Sequence, residues 1–384
     1  MPEAASLPHR RRLDALLACI QPATALTSVE RRLPPLGGEL ATDLARPLAQ
    51  RQQQLRARAA AFISHPCYAD VAIYTKAVDL ALKFGEFYED NAADVAAAAL
   101  DTAAARLEEL ERVSEQQQPS WCTDTGLVAR GYISEIDGSA QPYGLEIPAE
   151  AGASALPLFV WLHGRGDKTT DLHFLATCTS SSLFPSARFG SPPPPGMIIL
   201  HAFGRGTLGF KWGGELDVLD AVEHACTFYN IDRERIALGG FSMGGAGAWH
   251  IGAHYPDKWC VVHPGAGFVL SDKSREYTPE YVGNHPEQQL RLDAQIGGQQ
   301  DFAAPEVPAH EVTLWGLYDV PDYARSLLNV PLVVYSGEFD AQMAPGERDA
   351  KRVRGFAAIC PPECLCVDEA KLHDRAQLGG WSPC

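Results

Sequence analysis

The stretch from Arg235 to His250, Arg-Ile-Ala-Leu-Gly-Gly-Phe-Ser-Met-Gly-Gly-Ala-Gly-Ala-Trp-His, constrains this chain more than any other. Arg235 to Gly239 reads as a buried strand, and Gly244 to Tyr255 as a helix rich in small residues. Between them lies Gly240-x-Ser242-x-Gly244. A chain that passes from strand to helix through one serine must hold that serine in a strained backbone conformation. Side chains two residues before and two after would collide, hence the glycines. Gly245, Ala246 and Gly247 let the helix lie close against the sheet. The positive end of the helix faces the serine and favours negative charge there. Ser242 is therefore the candidate nucleophile, displayed at the C-terminal edge of a sheet.

The surrounding pattern supplies that sheet. Leu127 to Ile136 and Gln141 to Ile147 are β-like and joined at Asp137-Gly138, a strong turn signal. Strands are then expected at Pro157–His163, Met197–His201, Arg235–Gly239, Cys260–His263 and Pro331–Ser336, with a helix over Asp217–Asn230 between the second and third of these. Such alternation predicts a mostly parallel central sheet with helices on both faces. Upstream, Gly38 to Gln118 is dominated by helix formers, with clear candidates at Asp70–Phe84 and Asn91–Glu115. The expected organisation is a helical N-terminal region over 1–118 and a catalytic domain over 119–384. Two stretches interrupt the alternation: the four prolines before Gly196, which suit a surface loop, and residues 271–328, long enough to form a cap over a site.

A serine hydroxyl needs a base, an orienting acid and donors for the developing oxyanion. The strand at Leu158 to Leu162 ends in His163-Gly164-Arg165-Gly166. In this chemistry a backbone N–H from such a loop joins the N–H of the residue after the nucleophile, which nominates Arg165 and Met243. The chain order serine, acid, histidine points to Asp340, at the end of Val330-Pro-Leu-Val-Val-Tyr-Ser-Gly-Glu-Phe-Asp, with Glu338 as the alternative. His373 is the histidine that follows Asp340 and is the candidate base. A helix at Gly346–Ile359 and a short strand at Cys364–Val367 would place it in a loop after the last strand. His163, His201, His254 and His263 read as structural or pocket residues.

Together, Val160-Trp-Leu-His-Gly-Arg-Gly-Asp167, Gly239 to His250 and Val334-Tyr-Ser-Gly-Glu-Phe-Asp340 resemble α/β-hydrolases. The resemblance is to enzymes related to the prolyl oligopeptidase catalytic domain and to feruloyl-esterase-like and polyhydroxybutyrate-depolymerase-like enzymes. It covers roughly Leu127 to Asp340. It implies an α/β-hydrolase fold, a serine hydrolase cleaving a small ester or peptide substrate, and neither cofactor nor metal. After Asp340 the pattern departs: such proteins continue into a Gly- or Ala-His loop and a further helix, whereas here the loop reads Ala370-Lys-Leu-His373-Asp-Arg. A catalytically inactive hydrolase-fold binding protein with an altered tail is the alternative expectation.

Composition narrows the partners. A formal net charge of −16 disfavours phosphate backbones and anionic lipid surfaces. No apolar run approaches the roughly 20 residues that span a bilayer. Ten cysteines, mostly scattered singly, read as free thiols of a cytoplasmic protein. Cys360, Cys364 and Cys366 lack good zinc-ligand spacing and a fourth ligand. The sequence is silent on oligomeric state.

Overall fold

The structure, a computed structural model, describes residues 37–113, 117–152, 154–166, 168–178, 196–271 and 309–334. Strands β1 (Gly126–Ile133) and β2 (Ala140–Ile147) form an antiparallel hairpin. Its turn uses Gly138 at φ 68° and Asp137, whose Oδ1 accepts the Ser139 N–H. β2 runs antiparallel to β4 (Ile198–Ala202). Beyond it β3 (Leu156–Leu162), β5 (Ile231–Phe241) and β6 (Val261–Gly265) continue in parallel, in the order β1-β2-β4-β3-β5-β6. Parallel neighbours need crossovers, and these are helical: α5 (Gly213–Phe228) returns the chain from β4 to β5, and α6 (Met243–His254) from β5 to β6. This mixed sheet, with a strand–serine–helix turn after β5, is the expected α/β-hydrolase fold.

Alternation along the strands divides the sheet into two faces. Val128, Tyr132, Leu145, Leu158, Val160 and Leu200 point into one core, filled from above by α5 and α6. Ala129 and Ala140 face the other, which is covered by α1 (Thr42–Ala59), α2 (Ala69–Phe84), α3 (Ala92–Leu110) and the short α4 (Asp171–Thr177). No helix among the described residues is long and apolar enough to cross a membrane.

Several boundaries differ from expectation. β1 stops at Ile133, because Ser134 accepts the Gly138 N–H and closes the turn early. β5 starts four residues before Arg235, since its first turn of chain, Asp232-Arg-Glu-Arg235, is a solvent-facing strand end with no apolar signature. α5 starts at Gly213 rather than Asp217. α4 was not anticipated; Thr170 caps it, its Oγ1 accepting the His173 N–H. Of the strand expected at Pro331–Ser336, the described part makes one parallel bridge, Val262 to Leu332. Of the insertion at 271–328, the described part is α7 (Ala309–Trp315), α8 (Val320–Tyr323) and a 3₁₀ turn, Ala324–Asn329. The helix expected at Gly346–Ile359 and the strand at Cys364–Val367 lie outside the described residues.

One buried ion pair joins the helical layer to the sheet. Asp70, in the first turn of α2, sits directly over β1 and is fully buried. Its Oδ1 accepts Arg130 Nε at 3.0 Å and the Gly131 N–H at 2.7 Å, and its Oδ2 accepts Trp121 Nε1 at 3.0 Å. From α3, Arg106 donates to the carbonyls of Asp70 and Ala129 at 3.0 and 2.8 Å. Gly131 is required here, because a Cβ would meet the Ala69 carbonyl oxygen at 2.5 Å. Burial alone would raise the Asp70 carboxyl, but the charges of Arg130 and Arg106 and the hydrogen bonds hold it below the usual range. Removing one partner of such a pair strands the other charge in the interior, which costs about 3–5 kcal/mol. Asp70→Ala is expected to lose that much stability in urea unfolding; a loss under 1 kcal/mol would mean that the pair does not hold the layers together.

Candidate active site

β5 delivers Ser242 into the turn at φ 57° and ψ −117°, a region that non-glycine residues rarely occupy. The strain is held by backbone on both sides. The Ser242 N–H donates to Gly265 of β6 at 2.9 Å, and the Ser242 carbonyl accepts the Ala246 N–H at 3.0 Å as α6 begins. The glycines act as the sequence suggests. A Cβ at Gly244 would overlap the Leu162 carbonyl and lie 2.8 Å from that of His163; one at Gly240 would reach the Gly244 carbonyl and Leu162 Cβ. Gly245 similarly admits the backbone of Gly265. Ser242 is half-buried, and Met243 is the first residue of α6, so its N–H has no intrahelical partner.

The second expected donor loop runs beside this turn. β3 pairs with β5 so that Leu162 lies opposite Gly240, and the chain then leaves β3 through His163-Gly164-Arg165-Gly166. A Cβ on Gly164 would stand 3.4 Å from the Phe241 carbonyl and 3.7 Å from Ser242 Cβ, so this loop touches the serine's own residue. Arg165, the next residue, is exposed. His163 fixes the loop: Nδ1 lies 2.8 Å from the Gly164 carbonyl, Nε2 lies 3.0 Å from that of Phe203, and the ring packs edge-on against Phe210.

Residues 203–212, between β4 and α5, pack against His163 and α6 in a loop that sequence reasoning missed. Gly204, Arg205, Gly206, Gly209, Phe210 and Trp212 all have positive φ. Phe210 is fully buried, and its carbonyl lies 2.8 Å from His250 Nε2 on α6. Asp217 anchors the start of the loop, accepting the Gly204 N–H at 2.8 Å and the Tyr132 hydroxyl at 2.5 Å. Burial pushes its carboxyl up to about 6, against the pull of Tyr132, Gly204 and Arg205. Trp212, at φ 51° and ψ −118°, repeats the Ser242 conformation at the head of α5 and stands 62% exposed. Gly214 follows it as Gly244 follows Ser242, and a Cβ there would lie 2.7 Å from the Gly204 carbonyl. The Trp212 N–H donates to the Tyr318 hydroxyl, which in turn donates to Glu215, tying the described part of the insertion to α5. The glycine density of this segment was the available signal.

Three further described histidines are held by other groups. His201 Nε2 pairs with Glu146 at 2.7 Å, His254 Nδ1 with Glu215 at 2.5 Å, and His263 Nδ1 lies 2.6 Å from the Val333 carbonyl. Asp340, its alternative Glu338 and His373 lie outside the described residues, as do Cys360, Cys364 and Cys366. The structure therefore brings together Ser242, Met243 and the Arg165 loop. Among the described residues one group, Cys67, Asp70 and Cys122, has metal-ligand atoms clustered, but both Asp70 oxygens are already hydrogen-bonded.

No protein-family model and no curated protein matches the chain. Among solved structures it is similar to a thermostable esterase, at 18% identity and TM-score 0.35, over 67% of this chain and 57% of that one. It is also similar to a prolyl endopeptidase, at 16% identity and TM-score 0.43, over 65% and 35%. A ferulic acid esterase is similar at 16% identity and TM-score 0.39, over 63% and 88%. The chain thus spans little more than half of the first of these and about a third of the second. The fold assignment rests on the strand order, the helical crossovers and the turn at Ser242.

Gly244→Ala is expected to destabilise the protein by on the order of 3 kcal/mol or more, since neither the strand nor the helix can yield to the new methyl. A urea midpoint unchanged from wild type would contradict the packing described. Asp217 gives a pH signature. A raised folded-state pKa means that its contribution is full below the unfolded value of 3.8 and is lost as pH rises through about 6. Between pH 4 and 7 the wild type should lose on the order of 2–3 kcal/mol relative to Asp217→Asn. Unfolding free energies measured across that window check it; a pH-independent difference overturns it.

Proposed function

We propose that this protein is a serine hydrolase that cleaves a small carboxylic ester or peptide bond through an acyl-enzyme on Ser242. The observation that carries the reading is the left-handed backbone of Ser242 at the head of α6, with the Gly164 loop against it. Strain of this kind recurs at functional sites, and here the residue that carries it bears a hydroxyl beside a backbone donor loop.

In the proposed cycle the Ser242 hydroxyl attacks the substrate carbonyl carbon while His373 takes its proton. Asp340 orients the imidazole and stabilises the imidazolium. The N–H groups of Met243 and Arg165 hold the tetrahedral oxyanion, each donor being worth about 3–4 kcal/mol in such sites. His373 then protonates the leaving alcohol or amine. Water, activated by the same histidine, attacks the acyl-enzyme, and the acid departs with Ser242 restored.

A fluorophosphonate probe tests the reading on the intact chain. Wild type should take up one phosphonyl group, mapped to the peptide carrying Ser242, and Ser242→Ala should take up none. Short p-nitrophenyl esters and prolyl peptide amides then divide esterase from peptidase. Asp340→Ala and His373→Ala should each lower kcat by about 10²–10⁴-fold. Folded wild type that neither labels nor turns over any of these substrates would sink the hydrolase and leave a hydrolase-fold binding protein.

A further inference from the structure

Cys67 and Cys122 are 55 residues apart in sequence, yet their sulfurs lie 3.6 Å from each other. Cys67 sits in the turn before α2, and Cys122 ends the 3₁₀ turn Ser120–Cys122 that leads into β1. Both are buried, at 2% and 3% exposure. The pair therefore spans the joint between helical layer and sheet, beside the Asp70–Arg130 ion pair. Two chemistries suit facing thiols: metal ligation and disulfide formation. A cation would need Asp70 as its third ligand, and Asp70 is already held by Arg130, Gly131 and Trp121. The guanidinium groups of Arg130 and Arg106 on that carboxylate and its carbonyl also repel a cation. A disulfide needs neither change. The sulfurs must close by about 1.5 Å to reach bonding distance. Both cysteines belong to turns rather than to helix or strand interiors, so the backbone can supply that movement.

We propose that Cys67 and Cys122 form an oxidisable dithiol, which a small hydroperoxide converts to a disulfide that locks the helical layer onto β1. Cys122 is written as the attacking sulfur; the pair shares one Sγ–Sγ hydrogen bond in which either atom can donate, so the two roles can exchange. The Cys122 thiolate displaces water from hydrogen peroxide, with one proton taken up, and becomes a sulfenic acid. Cys67 sulfur then attacks the Cys122 sulfur; the S–O bond breaks, water leaves with the Cys67 proton, and the S–S bond forms. Two thiols and one peroxide give one disulfide and two waters. The step is independent of Ser242.

The test treats the native full-length protein with low-millimolar hydrogen peroxide, then denatures it and alkylates the remaining thiols. Peptide mapping should recover Cys67 and Cys122 as one cross-linked pair, released by dithiothreitol. The oxidised protein should melt about 5 °C above the reduced form, as expected for a bond closing a loop of this length. Cys67→Ser and Cys122→Ser should each abolish both the cross-link and the rise in Tm. Should either variant fail to fold, the wild-type map still decides. Recovery of both cysteines alkylated, or of either as an uncross-linked sulfinic acid, from protein that stayed folded overturns the proposal. So does one zinc ion bound per chain that protects both thiols from alkylation.

Discussion

The backbone of Ser242 can be left-handed because three strands converge on it with no side chains between them. Its N–H reaches across to Gly265 of β6, while α6 starts so low over the sheet that Gly244 rests against the carbonyls of Leu162, the last residue of β3, and of His163 just after it. Gly267 in turn abuts the backbone of Gly245. The turn is thus a contact among the C-terminal ends of β3, β5 and β6, and it requires these three to be parallel neighbours in that order. Sheet topology and serine conformation constrain each other. A methyl group at any of these contacts would lift the helix, and with it the N–H of Met243, away from the sheet edge.

The opposite face of the sheet is organised by a different kind of contact. A largely parallel sheet must be covered on both sides, and here the cover over β1 and β2 comes from α1–α3, before the first strand in the chain. Apolar packing alone would let those helices slide along β1. Asp70 removes that freedom, because one carboxylate is shared by Arg130, Gly131 and Trp121 at fixed positions. Buried ion pairs contribute little net stability over apolar isosteres, so the consequence of this one is register. It sets where α2 begins over Gly131, and it brings Cys67 and Cys122 together as a by-product.

The Ser242 turn was legible in the sequence because its physical requirements are local: an apolar strand, glycines two residues either side, and small residues behind. The loop from Gly204 to Trp212 obeys similar rules but was not legible. Three of its positive-φ residues, Arg205, Phe210 and Trp212, are types that carry no such signal, and what holds them is distant in sequence. Asp217 anchors Gly204, Phe210 is buried against Gly247, and Tyr318 receives the Trp212 N–H. The early starts of β5 and α5 were hidden for the opposite reason: charged strand ends and paired glycines look like loop until a sheet edge or a neighbouring backbone accommodates them. Asp70 and Arg130 gave no warning at all, since a lone acid in a helix and a lone base in a strand read as solvent-facing.

The same geometry bears on where the proton of Ser242 can go. Oxyanion donors and general base must lie on opposite sides of the attacked carbonyl, or one blocks the other. The β3 side of the serine is occupied by the Gly164 loop, and His163 there has both ring nitrogens on carbonyl oxygens. His250 and His254 lie along α6 with partners of their own. Among the described residues these contacts set the β6 side apart for the proposed base. It is toward this side that the chain runs at Leu332, bridged in parallel to Val262 and held by the hydrogen bond from Val333 N–H to the Val262 carbonyl. An acid a few residues further on, and a histidine after it, are what the proposed chemistry requires of Asp340 and His373.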